Sequence, residues 1–155
     1  MEDQKHLTDA LSERVDVTSL VKYLDKVKEL HSINKMMGTA YLRDFIEGQD
    51  VAGVLVAKAI QADIKAKAEL ERAEAIAYLD NAADYLKAKG VKDTSEARKQ
   101  YVSLDEGVIA AQDKKAQTEA MVSLFKNKLS ILRQAHDDLR KILYGDNHMT
   151  GYEGM

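Results

Sequence analysis

His136, Asp137 and Arg140 are the side chains best spaced to share one helical face and act together, so the chemistry of this chain is first asked of them. The plainer reading is a boundary histidine beside solvated charges. Of the remaining histidines, His6 and His148 lie in terminal segments, and His31 follows Glu29 at i+2, a spacing that sends the two side chains to different sides of a helix. A carboxylate-bridged metal site in a helical bundle uses Glu-x-x-His on paired helices, and the chain has no Glu-x-x-His. With no cysteine, disulfides, thiolate metal sites and cysteine nucleophiles are excluded together. No glycine-rich phosphate loop and no G-x-S-x-G elbow occurs. The expectation is therefore a non-enzymatic protein with no metal and no cofactor.

Basic residues offer a second chemistry, the neutralisation of phosphates. Lys58, Lys65, Lys67 and Arg72 form one group, diluted by Asp63, Glu69, Glu71 and Glu74. Lys87, Lys89, Lys92, Arg98 and Lys99 form a second, opposed by Asp93 and Glu96. Lys126, Lys128, Arg133, Arg140 and Lys141 form a third, against Asp137 and Asp138. The plain reading of each is a solvated face knitted by i,i+4 pairs such as Lys65 with Glu69 or Asp137 with Lys141. The second group is the best candidate for an anion, because positive charge at a helix C-terminus also complements the macrodipole. Tyr78, Tyr85 and Tyr101 nearby are suited to stacking on unpaired bases or to filling a helix seam. The formal charge of −3 gives no global attraction to nucleic acid or anionic lipid. Binding must then come from local clusters, or from a weak site multiplied in an oligomer.

The elements that would carry these residues are helices. The chain has no proline, 32% charged residues and 6% aromatics, a balance that suits long helices with thin seams. Residues 1–15 show no sustained period and read as a mobile arm, and 146–155 as a loose tail. Between them one helical domain, 16–145, is expected, with helices at about 16–47, 50–89, 94–102 and 105–144. Asp16, Thr18 or Ser19 can cap the first, and Gly38 marks a kink or break near Met37–Thr39. Gly48 suits the residue after a helix end, and Gly90 closes the second helix, a rod of roughly 60 Å at 1.5 Å per residue. That helix is rich in alanine at Ala59, Ala62, Ala66, Ala73, Ala77 and Ala83, which permits close approach of a neighbour. "DTSE", Asp93 to Glu96, has capping-box form with Asp93 as cap, and Asp105 can cap the last helix. In the last helix Met121, Phe125, Lys128, Leu132, Ala135, Leu139 and Ile142 step as an a/d heptad repeat. Leu124, Leu129, Ile131 and Leu143 widen this stripe beyond a two-stranded seam, so it is expected to face more than one helix, within the fold or across a subunit boundary. "VAGVLVAKAI" is too short to span a bilayer, and "MEDQKHLTDALSE" lacks the character of a secretory signal. A cytoplasmic protein is expected.

The block "ARKQYVSLDEGVIAAQDKKAQTEAMVSLFKNKLSILRQAHDDLRKI" resembles the C-terminal half of the UvsY-type recombination mediators of tailed phages. The likeness rests on "RKQYVSLDEGV" around Asp105, on the basic-apolar step "DDLRKI" at Asp137–Ile142, and on "KAKAELERAEAIAYLD" upstream. It covers roughly residues 55–143. The resemblance implies an all-helical homo-oligomer, often a ring, in the cytoplasm of a bacterial host. Such a protein binds single-stranded DNA and helps load a RecA-like recombinase while single-strand-binding protein is displaced. It carries over Lys65, Lys67 and Arg72 as DNA contacts; Lys87, Lys89, Arg98 and Lys99 are added from the charge pattern.

The expected fold is thus all-α: an elongated, coiled-coil-like bundle of long antiparallel helices, homo-oligomeric, with Met121, Phe125, Leu132, Leu139 and Ile142 as core or oligomer seam. The alternative function is a helical structural or adaptor protein that binds only protein, including a phage inhibitor of a host system.

Overall fold

The computed structural model describes residues 17–33 and 35–145, apart from the side chains at 31 and 35. The expected arm and tail, the cap at Asp16, and the side chains of His6, His31 and His148 lie outside the described residues. Every regular element among those described is helical. Helix α1 spans Val17–Lys28, and a single 3-10 turn follows at Leu30–Ser32. Helix α2 runs Lys35–Ile76, passes through a π turn at Ala77–Asn81, and continues as α3, Ala82–Ala88. The short α4, Ser95–Val102, precedes α5, Glu106–Tyr144. No helix among the described residues is long and apolar enough to cross a membrane.

The first break falls at 29–33, before the position expected from Gly38, and Ser32 supplies it. Ser32 donates both its amide and its hydroxyl to the Glu29 carbonyl, at 2.9 and 2.8 Å, and Ile33 is extended. Serine thus satisfies a carbonyl that the helix end leaves without a partner. Neither Gly38 nor Gly48 ends a helix; both lie buried inside α2. Expected helices at 16–47 and 50–89 are therefore α1 and a longer α2–α3. Gly90 and Gly145 do end helices, with φ of 67° and 69°. The amide of Val91 reaches the Leu86 carbonyl at 3.0 Å, closing α3 as a left-handed glycine cap permits.

The described residues fall into two compact units, those within 17–56 with 124–145, and Ala57–Ser123; α2 and α5 contribute to both. In the first, α1 folds back antiparallel on α2. Tyr23 donates to Glu47 at 3.2 Å, Tyr41 to Glu29, and Lys26 pairs with Asp44 while lying over the Tyr41 ring. Helix α5 runs antiparallel on α2 as well, since a Cβ at Gly38 would overlap Leu143 and one at Gly48 would meet both Tyr23 and Leu132. Gly48 is thus the point at which both neighbours close on α2. Leu20, Phe45, Ala52, Leu55, Phe125, Leu132, Ala135 and Leu139 form the core here.

The heptad reading of α5 places Phe125, Leu132 and Leu139 correctly, with the last two fully buried, and Met121 is half-buried. Ile142 is not part of the core of the single chain. It is 58% exposed, and the adjacent Leu143 is the residue packed on Gly38. A strict 4-3 repeat cannot distinguish the two positions that flank the buried one when two helices share the stripe.

In the second unit α2 and α5 again pair antiparallel, marked by Thr118 donating to Asp63 at 3.0 Å and by the Lys114–Glu69 ion pair. Ala59, Ala66 and Ala77 are buried along the inner side of α2–π turn, with Val108 and Thr118 opposite on α5. Small residues let the helices approach closely but remove little apolar area each.

Candidate nucleic-acid interface

The second basic group sits where α3, α4 and the start of α5 meet. Thr94, not Asp93, caps α4: its Oγ1 accepts from the Ala97 amide at 3.2 Å. Asp93 instead receives Arg98 through two bonds of 2.7 Å, from Nε and Nη2. Nη1 of Arg98 goes to the Tyr78 carbonyl at 3.0 Å, within the π turn, and the guanidinium lies 5.7 Å from the centre of the Tyr78 ring. The hydrogen bonds from Arg98 hold the Asp93 carboxyl below its ordinary range, and Asp93 raises Arg98 in return. With its fork turned inward on Asp93 and the Tyr78 carbonyl, Arg98 ties α4 to the π turn.

The tyrosines are likewise engaged. Tyr78 shares a hydrogen bond of 3.1 Å with Ser95. Tyr85 and Tyr101 stack at 4.8 Å between centroids, and Tyr101 donates to Asp105 at 2.9 Å. Asp105 caps α5 as expected, its Oδ1 accepting from the Val108 amide at 3.1 Å. The bond from Tyr101, with those from the Val108 and Gly107 amides and the Asn81 side chain, holds the Asp105 carboxyl below the usual range although burial opposes this. The same bond, and burial, push the Tyr101 phenol up. One aspartate thereby joins the α4–α5 turn to the π turn of the long helix.

Around this framework Lys87, Lys89, Lys92 and Lys99 are all exposed. Lys89 lies 5.8 Å from the centre of the Tyr85 ring, whose residue is 40% exposed. Lys99 borders an open groove of about 560 Å³ together with Glu71, Glu74, Ala75, Tyr78, Leu79 and Val102. Lys65, Lys67 and Arg72 are exposed on α2. Lys65 and Arg72 are two turns apart on one side, whereas Lys67, at i+2 from Lys65, points to the other. The expected pairing of Glu69 with Lys65 does not form, because Glu69 reaches across to Lys114 on α5. His136 and Asp137 are within 3.2 Å, and no group of three or more potential metal ligands converges among the described residues.

The role of Arg98 and the π turn were missed by sequence reasoning. "AYLDN" consists of ordinary helix residues and carries no signal of a widened turn. The fold defines an all-helical protein. No family model matches the chain, and no curated protein or solved structure matches it.

Proposed function

We propose that this chain is a recombination mediator: a coiled-coil-like helical scaffold whose copies associate, bind single-stranded DNA and assist loading of a RecA-like recombinase against single-strand-binding protein. The observation that carries the reading is the set of exposed lysines on and beside α3 and α4, Lys89 lying over Tyr85, with Asp93 occupied by Arg98 and so withdrawn from neutralising them. Each chain offers Lys87 on α3, Lys89 directly after it and Lys99 on α4, and the two helices pack together. Alone this is a weak anion site; repeated in an assembly it follows a strand at a much higher effective concentration. Lys65, Lys67 and Arg72 add positive charge on the same unit.

The test is a salt titration of oligothymidylate binding by fluorescence anisotropy. Reversal of Lys87, Lys89 and Lys99 to glutamate together is expected to abolish binding and leave the solution mass unchanged. For single strands each phosphate contact contributes a slope of about −0.7 in log K against log salt, so a variant lacking three contacts shows a slope shallower by about 2 wherever residual binding is measurable. An unchanged slope assigns the interface elsewhere. Absence of binding by the assembled wild type at low salt leaves the protein-only adaptor reading, which the acidic balance of the chain favours.

A further inference from the structure

The third basic group, on α5, serves neither the core nor the interface proposed above. It lies in the unit that joins 124–145 to 17–56, whereas Lys87, Lys89 and Lys99 belong to the other unit. Within 124–145, Lys126, Lys128, Arg133, Arg140 and Lys141 stand against Asp137 and Asp138, an excess of positive charge in a chain whose total is −3. Lys126, Arg133 and Arg140 each follow a buried residue by one position: Phe125, Leu132 and Leu139. One residue is a rotation of about 100° in an α-helix. The seam that seats those three on the core therefore sets the three cations in a second, exposed row beside it, at steps of about 10.5 Å. Lys128 is half-buried at a seam position and stands outside the row.

The carboxylates that could neutralise this row are engaged elsewhere. Asp137 is four residues after Arg133 and three before Arg140, the spacing of a helical ion pair, yet its contact is with His136 at 3.2 Å. Asp138 accepts from the Gln134 side chain at 2.8 Å. Across the same unit Asp25 holds Lys28, Asp44 holds Lys26, and Glu47 takes Tyr23 and Arg43. Lys126, Arg133 and Arg140 make no hydrogen bond, ion pair or ring contact among the described residues, whereas Arg43 and Arg98 are both paired.

Three unpaired cations in line over about 21 Å suit an extended polyanion, since a small anion reaches only one of them. Two of the three are arginines, whose planar fork matches a phosphate through two bonds. A helix that binds a lipid surface carries apolar side chains beside its basic ones. Here the exposed apolar residues of the stretch, Leu124 and Ile142, lie on the other side of the seam from the row. We infer that Lys126, Arg133 and Arg140 form a second phosphate-contacting track for single-stranded nucleic acid, separate from the lysines of α3 and α4. This rests on the strand binding of the proposed function and adds a site on the other unit. Two weak tracks per chain double the contacts that an assembly can multiply.

Oligothymidylate anisotropy, with circular dichroism on each protein, tests it. Arg133→Glu with Arg140→Glu is expected to weaken binding at least tenfold at low salt. The slope of log K against log salt should become shallower by about 1.4, two contacts at about 0.7 each. The control, Lys28→Glu with Arg43→Glu, makes the same change of charge on exposed residues of the same unit and is expected to alter affinity by no more than about threefold, because charges away from the contact are screened. Asp137→Asn, which removes the carboxylate beside the row, should tighten binding about twofold. If the double reversal lowers helicity, Arg133→Gln with Arg140→Gln replaces it, adding no like charge beside Asp137. Wild type that binds while the arginine variant keeps its affinity and slope overturns the track and leaves the α3–α4 interface standing. Equal losses in the arginine variant and the control assign the effect to overall charge and overturn it too. Loss of polyglutamate binding with oligothymidylate unaffected gives the row to an acidic protein instead. Wild type that leaves the oligonucleotide free at low salt overturns the proposed function along with the track.

Discussion

Gly48 and Gly53 lie in the same helix, and replacing each by alanine separates helix propensity from packing. At Gly53 a new Cβ meets nothing within 4 Å. Gly53→Ala should therefore gain the full propensity difference, about 1 kcal/mol. At Gly48 the Cβ would stand 2.8 Å from Cβ and 2.9 Å from Cγ of Tyr23, and 3.3 Å from Cδ1 of Leu132. Carbon atoms settle at about 3.5–4.0 Å, so the deficit is roughly 0.7 Å. The Tyr23 Cβ is fixed to the α1 backbone, and no rotamer change relieves the overlap; α1 itself must shift. Overpacking of this kind costs about 1–3 kcal/mol, which the propensity gain only partly offsets. Gly48→Ala is expected to lose about 1 kcal/mol net, placing the two variants about 2 kcal/mol apart. Urea unfolding followed at 222 nm, at one fixed protein concentration, should show the midpoints moving in opposite directions with similar m-values. In a thermal melt the gap corresponds to about 4–8 °C for a chain of this size. Two variants of equal stability, or a more stable Gly48→Ala, would refute the close packing of α1 and α5 on α2.

Within α5, Leu139→Ala should cost about 2–5 kcal/mol and Ile142→Ala well under 1, because Leu139 is fully buried and Ile142 exposed; similar losses in denaturant melts would restore the strict heptad reading. Asp105→Ala should cost about 1 kcal/mol at neutral pH through loss of the α5 cap. The folded Asp105 carboxyl titrates below its unfolded value. Its contribution is thus complete above the unfolded value near pH 4 and is lost as pH falls through the folded one. The gap between wild type and Asp105→Ala should narrow below about pH 4 in urea melts; a gap constant down to pH 2 would contradict the hydrogen bonds described.

The two helices after Lys92 were legible because their punctuation is chemical: polar residues before each, although the cap read at Asp93 falls on Thr94, and a glycine after the last. α1 and α2 were harder. Glycine lowers helix propensity by about 1 kcal/mol, so Gly38 and Gly48 look like breaks in isolation. In the fold they are the places where neighbouring helices need room, and tertiary contact overrides propensity. The actual break uses Ser32, whose capping role depends on a carbonyl three residues back rather than on any periodic signal. Among the candidate contacts, charge sign was readable but availability was not. Arg98 is as basic as Lys99 in sequence, yet Asp93 and the Tyr78 carbonyl take its guanidinium, and that arrangement requires the π turn, which has no sequence signature.

Sedimentation equilibrium of the full chain at micromolar concentration, with and without a labelled oligothymidylate, bears most directly on the idea of a self-associating DNA scaffold. The account predicts a mass that is a whole multiple of the single chain, with the strand sedimenting with the assembly at low salt and released as salt rises. A single chain that leaves the oligonucleotide free at low salt would contradict it.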